Sequence, residues 1–207
     1  GTSVLRECPK ITDVFLMEKI LRELGARTWW EGHDLYLDCS HADGTVIPEY
    51  FSGKMRCSVI LLGAMLGRNG KARTGYPGGC VIGKRPVDLH IQVLQKLGAR
   101  IVENGSEIQA ACGKLKGAEI IFPKSSVGAT EQGILAAVLA EGKTVLSGCA
   151  REPEITWLCQ YLTGMGAKIE ILENGSICIE GVKKLHPGSG TIPPDRIVAG
   201  TYLMAAA

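Results

Sequence analysis

The chain has 207 residues, 45% apolar and 21% charged, the composition of an ordinary globular protein long enough to bury a core of real size. Its formal net charge of +2 is spread without a Lys/Arg run, which argues against a nucleic-acid or anionic-membrane partner and leaves any anion to be bound locally. The longest strongly apolar stretches, 59–66 and 134–140, fall far short of the roughly 20 residues that cross a bilayer, so no membrane segment is expected.

Eight cysteines stand at 8, 39, 57, 80, 112, 149, 159 and 178, and no pair has Cys-x-x-Cys spacing. Zinc is therefore disfavoured, and no metal site is predicted. A chain this rich in core needs no disulfide staples, and its first residues lack the basic start and apolar run of a secretory signal. Free thiols in a cytoplasmic protein are expected.

In chain order, residues 1–10 enter as a strand. The next run carries Val14, Leu16, Met17, Ile20, Leu21 and Leu24 on one broad face, opened by Asp13 and closed by Gly25, which predicts an amphipathic helix with a glycine C-cap. The segment from Trp29 to Leu37 reads as a hairpin with a loose turn, and residues 54–66 as a second helix opened by Lys54-Met55-Arg56.

The loop Tyr76-Pro-Gly-Gly-Cys80-Val-Ile-Gly-Lys84-Arg85-Pro86 follows. It puts one thiol on a glycine-hinged segment beside two fixed cations, an environment that favours the thiolate and attracts an anionic substrate. Pro-Gly-Gly is also ordinary turn chemistry, so a surface turn with an incidental cysteine stays open at this point. A helix opened by Asp88 and closed by Gly98 comes next, then a hairpin around Asn104-Gly105, for which a type I′ turn is expected. Lys124-Ser125-Ser126-Val127-Gly128-Ala129-Thr130 leads into an apolar helix predicted at 129–141. Free N–H groups, small hydroxyls and a lysine at a helix N-terminus suit a diphosphate, although simple N-capping by Ser or Thr is the commoner use of such residues.

The third stretch repeats the scheme: a helix opened by Glu154 and closed by Gly166, a hairpin around Asn174-Gly175, and a helix from Asp195 onward. Leu24-Gly-Ala-Arg27, Leu97-Gly-Ala-Arg100 and Met165-Gly-Ala-Lys168 mark three copies of one unit, roughly 1–70, 71–142 and 143–207. The predicted fold is α/β: one domain of three β-α-β-α-β-β repeats about a pseudo-threefold axis, helices inside and sheets outside. Three helix N-termini, at residues 54–56, 124–130 and 194–196, are expected to converge near that axis. The first unit lacks the helix its sister units have, and the last helix stops without a cap. Glu152 and Glu154 read as structural acids at a helix start, the tryptophans as packing residues, and His90 as a group that orients the cysteine loop.

Four motifs, Pro77 to His90, Lys124 to Thr130, Ala150-Arg-Glu-Pro-Glu-Ile155 and Pro194-Asp-Arg196, resemble those of the UDP-N-acetylglucosamine 1-carboxyvinyltransferases, an enolpyruvyl transferase family whose fold is an inside-out α/β barrel. The resemblance implies transfer of the enolpyruvyl group of phosphoenolpyruvate to the 3′-hydroxyl of UDP-N-acetylglucosamine in peptidoglycan precursor synthesis, with no metal or organic cofactor. It assigns Cys80 as the proton donor alkylated by fosfomycin. Arg56, Arg85, Pro86, Val87, Asp88 and Leu89 become substrate contacts, and Lys124, Ser126, Val127 and Gly128 the diphosphate turn.

A Lys-Asn pair and a second domain with the family's catalytic aspartate and a further arginine have no counterpart in the sequence. About half an enzyme, inactive alone, is thus expected. The resemblance further implies a monomeric full-length protein, while apolar surface left uncovered on the half would favour self-association. The alternatives are the sister enzyme that uses shikimate 3-phosphate, against which the cysteine loop argues, and a non-catalytic sugar-nucleotide-binding module.

Overall fold

The computed structural model describes residues 1–78 and 86–207. Its elements run β1 (Thr2–Arg6), α1 (Thr12–Glu23), β2 (Arg27–Glu31), β3 (Asp34–Asp38), β4 (Val46–Ile47), α2 (Glu49–Ser52), a 3-10 helix (Arg56–Ile60), α3 (Leu61–Asn69) and β5 (Lys71–Gly75). There follow α4 (Asp88–Lys96), β6 (Arg100–Asn104), β7 (Glu107–Ala111), β8 (Glu119–Ile121), α5 (Val127–Ala137) and β9 (Lys143–Ser147). The last are α6 (Pro153–Gly164), β10 (Lys168–Ile171), β11 (Ile177–Glu180), β12 (Ser189–Thr191) and α7 (Arg196–Ala206).

The strands form three four-stranded sheets of one design: β12-β1-β3-β2, β4-β5-β7-β6 and β8-β9-β11-β10. In each, the first pair is parallel and the rest antiparallel, with registers such as Val4↔Ser189, Val46↔Arg73 and Ile120↔Leu146. One sheet therefore joins the first strand of the chain to the last.

Helices fill the interior, as the sequence predicts. Ile134, Ala136, Ala137 and Leu94 are fully buried, each large apolar side chain contributing about 2 kcal/mol by leaving water. A Cβ at Gly63 of α3 would sit 2.6 Å from the Gln132 carbonyl of α5, so only glycine allows these two helices to cross so closely.

The repeated Leu-Gly-Ala phrase has a local cause. After α1, α4 and α6 the glycines at 25, 98 and 166 take φ of 95°, 91° and 94°, where a side chain is strained. At each site the glycine N–H donates three residues back, and the alanine after it donates five back, as in Ala26 to Leu21, Ala99 to Leu94 and Ala167 to Leu162, all 2.9 Å. This is the Schellman arrangement, and the buried alanines close it.

Two local expectations need correction. Residues 56–60 wind as a 3-10 helix before α3 begins, with the Ser58 hydroxyl donating to the Met55 carbonyl at 2.8 Å, a back-bond that competes with α-helical pairing. At the second hairpin Asn104 ends β6, opposite Glu107, and only Gly105 has positive φ, the pattern of a type II′ turn and not type I′.

The tryptophans pack as expected, Trp29 stacked on Tyr36 and Trp157 on Tyr161. Among the described residues no helix is long and apolar enough to cross a membrane. The seven described cysteines are free thiols.

Candidate functional site

A cleft of about 860 Å³ opens where the 3-10 helix, α4 and α5 begin. Its floor is the N-terminus of α5. Ser126, in extended conformation, caps that helix by accepting from the Ala129 N–H at 3.4 Å. Thr130 fastens the turn from below, donating to the Ser126 carbonyl at 2.8 Å while accepting from the Ala150 N–H at 3.0 Å. The N–H groups of Val127 and Gly128 have no acceptor among the described residues, so the positive end of α5 faces the cleft with two donors.

Arg56 holds the opposite wall. Its guanidinium donates to the Pro86 carbonyl at 2.9 Å, which ties the start of the 3-10 helix to the segment that enters α4. Pro86, Asp88 and Leu89 are thereby set at the rim. Lys54 also lines the cleft, its ammonium donating to the Tyr50 hydroxyl at 2.6 Å. Lys54, Arg56 and Lys124 outnumber Asp13 and Asp88, so the described wall is net positive and suits an anionic ligand.

His90 lies beneath the turn. It is 7% exposed, and its Nδ1 is hydrogen-bonded to the Gln132 side-chain carbonyl. Burial pushes its imidazole below the ordinary value, so it is neutral at pH 7. A Cβ at Gly128 would meet the His90 ring at 3.0 Å, so the ring packs directly under the diphosphate-type turn. His90 thus ties α4 to α5, and the cysteine loop it was expected to orient lies outside the described residues. Farther down α5, burial and the nearby Glu154 carboxylate push Glu131 up to about 7. Glu154 itself is held below the ordinary value by hydrogen bonds from Arg196, at 2.8 and 3.1 Å. That pairing fits the structural role expected of Glu154.

Arg56, Pro86, Asp88, Leu89, Lys124, Ser126, Val127 and Gly128 all line this one cleft. Val87 is a neighbour in sequence, but its side chain is buried in the core. Cys80 and Arg85 lie outside the described residues. Of the three helix starts expected to converge, the third does not line the cleft, because α7 begins at the Glu154–Arg196 pair instead. Sequence reasoning did not single out Cys57 or Glu131. A lone acid inside the mostly apolar run from Val127 to Ala140 was the available signal for the latter.

The fold of three repeated units and a cationic cleft at helix N-termini define a class. The chain belongs to the EPSP synthase (3-phosphoshikimate 1-carboxyvinyltransferase) family, whose model matches residues 1–207. Among its relatives, UDP-N-acetylglucosamine 1-carboxyvinyltransferase 2 of Caldanaerobacter subterraneus subsp. tengcongensis is 46% identical over 207 residues, covering all of this chain and 50% of that protein. The UDP-N-acetylglucosamine 1-carboxyvinyltransferase of a Wolbachia strain of Drosophila simulans is 47% identical over 211 residues, 98% of this chain and 49% of that one. The chain spans about half the length of the curated relatives it matches.

Solved structures share the fold. The enolpyruvyl transferase NikO from Streptomyces tendae superposes with a TM-score of 0.86 at 23% identity, over 99% of this chain and 49% of that one. EPSP synthase from Acinetobacter baumannii gives 0.78 at 20% identity, over 100% of this chain and 47% of that one.

Proposed function

We propose that this chain carries the nucleotide-sugar side of an enolpyruvyl transfer site, in a protein that moves the enolpyruvyl group of phosphoenolpyruvate to the 3′-hydroxyl of UDP-N-acetylglucosamine. The observation that supports this best is the union, at one cleft, of Lys124, Arg56 and the N–H groups of Val127 and Gly128, which have no acceptor among the described residues. A diphosphate suits that set, because helix N-termini and fixed cations act on the same oxygens. Pro86 and Leu89 offer an apolar rim to a uracil ring, and Asp88 an acceptor for its N–H.

In the chemistry proposed, the acceptor hydroxyl adds to C2 of phosphoenolpyruvate and gives up its own proton to water, while the Cys80 thiol gives a proton to C3 and becomes a thiolate. The resulting tetrahedral adduct then loses inorganic phosphate and the proton from C3, which restores the double bond and the thiol. Arg85 would hold phosphate oxygens during both steps. Fosfomycin alkylation of Cys80 is what the family resemblance implies; burial raises the thiols of Cys8, Cys39, Cys57, Cys112, Cys149 and Cys159 above the ordinary value, which makes them poor nucleophiles. Peptidoglycan precursor synthesis in the cytoplasm is the setting this reading implies.

Titration calorimetry of the chain with UDP-N-acetylglucosamine tests the ligand class. Binding should weaken about tenfold in Lys124→Ala, since a charge-assisted contact to phosphate is lost. An unchanged affinity would remove the diphosphate assignment. The family model bears the name of the shikimate enzyme, so shikimate 3-phosphate is the control ligand, and heat from it alone would favour that acceptor. Turnover is a separate matter, because reacting atoms need groups held on both sides of them. The chain alone should release phosphate from the two substrates no faster than a Cys80→Ala variant of itself.

A further inference from the structure

Gly128 and Gln132 stand four residues apart on α5, so they share one face of that helix. His90 of α4 spans both. Its Nδ1 is bonded to the Gln132 side-chain carbonyl, and a Cβ at Gly128 would lie 3.0 Å from its Cε1 and 3.3 Å from its Nε2. All three residues belong to the middle repeat.

The contact with Gln132 fixes which ring nitrogen carries the hydrogen. A carbonyl oxygen only accepts, so Nδ1 is the donor, and in the neutral ring Nε2 keeps a lone pair. Gln132 is fully buried, so water does not compete for this hydrogen bond. Nε2 itself has no hydrogen-bond partner among the described residues, although His90 is only 7% exposed and lines the cleft. A buried lone pair beside the start of α5 is a poor neighbour for an anion as it stands and a good one once protonated.

The surroundings keep the ring neutral until then. Burial acts most strongly and disfavours the imidazolium, the Gln132 hydrogen bond works the other way, Arg56 disfavours the charge and Asp88 favours it, and the balance lies below the ordinary value. The ionisable groups around the ring are Lys54, Arg56 and Cys57 on the segment before α3, Asp88 on α4, Lys124 and Glu131 on the α5 side, and Asp13 at the start of α1. An anion docked on the Gly128 N–H adds an opposite charge on the side of the ring that meets the cleft. That favours the imidazolium.

We infer that His90 is a positioning residue of the anion site: neutral, with its hydrogen on Nδ1, in the free chain, it takes a proton from solvent onto Nε2 when a phosphate-type anion docks on the turn. The imidazolium keeps its Nδ1 hydrogen bond to Gln132 and offers a second donor beneath the anion. The inference rests on the reading of this turn as a diphosphate site, but not on which nucleotide or acceptor is bound. Its sign follows from linkage. The ring protonates at higher pH in the bound state than in the free state, so affinity strengthens as the pH falls through the bound-state value and levels off below the free-state value.

Nitrogen-15 NMR of the four histidine rings tests this, with His90 assigned through its Overhauser contact with Gly128. In the free chain at pH 7 the ring should show a protonated Nδ1 and a bare Nε2. Two probes whose charge is constant above pH 5 are then added: UDP-N-acetylglucosamine, whose phosphates are diesters, and sulfate, with chloride at equal ionic strength as the control. Each should raise the pH at which His90 protonates, and calorimetry should find the nucleotide bound about tenfold tighter at pH 5 than at pH 8. His90→Gln should lose that dependence, whereas Glu131→Gln, which removes the carboxyl pushed up to about 7, should keep it. A protonated Nε2 in the free chain overturns the inference. Nucleotide binding that leaves the His90 titration unmoved also overturns it, while the diphosphate reading survives. A response to sulfate without any binding of nucleotide does the reverse, and no response to either probe overturns both.

Discussion

Glu131 is a residue whose chemistry departs from what its place in the sequence suggests. It stands on a mostly apolar helix, half-buried, with Glu154 on α6 as a like charge and with Cys57 close by on the 3-10 helix. Burial first, and the second carboxylate next, move its titration from 4.5 to about 7. The folded chain therefore holds a proton that the unfolded chain releases at lower pH. Its contribution to stability is complete below the unfolded value and is lost as the pH rises from 4.5 to about 7. Glu131→Gln should flatten the dependence of the melting temperature on pH across this window and leave the variant the more stable protein above it. A pH profile identical to the wild type would mean that Glu131 ionises freely. The sequence offers a lone acid here but no sign of its burial, because Cys57 and Glu154, which lie near it, are far away in the chain.

At the scale of the element, α1 shows how one polar side chain can be built into an amphipathic face. Glu18 is 7% exposed and accepts from Arg22 at 2.5 Å, from the Thr28 hydroxyl at 2.6 Å and from the Trp30 indole at 3.2 Å. Burial alone would raise its carboxyl, but the hydrogen bonds from Thr28, Trp30 and Arg22 hold it below the ordinary value of 4.5. With the folded value depressed, the stability it gives is present above 4.5 and is lost as the pH falls through the folded value. Glu18→Ala should cost about 2 to 3 kcal/mol near neutrality by removing hydrogen bonds to a charged, buried acceptor, and the loss should shrink in acid. Chemical denaturation at two pH values measures both.

The helix itself was legible: its apolar spacing, its opening acid and Gly25 all hold. The same is true of α4 and α6, because a helix that ends in a Schellman turn needs glycine at one fixed position. The contact of Glu18 with β2 was not legible, since hydrogen bonds across ten residues leave no periodic trace. Nor was the 3-10 start of α3, where serine back-bonding overrides an apolar run.

For the whole molecule, the threefold repetition was readable from one recurrent phrase, and with it the sheets outside and helices inside. The cleft was readable in part. Lys124 to Gly128 announce a helix start, but their union with Arg56 and Pro86 depends on how units pack. The exposure of α7 was not legible, because its composition is that of a buried helix.

The parallel pairing of β1 with β12 bears on time as well as shape. Val4 waits for Ser189, so the last sheet to close must join segments that lie far apart in the sequence. The other two sheets draw on continuous stretches and can form while synthesis proceeds. Closing a loop of that length costs entropy that grows only logarithmically, yet long-range pairing is slow to find. During that interval the apolar residues of β1, β3 and α1 are the part of the chain that depends longest on protection from other chains.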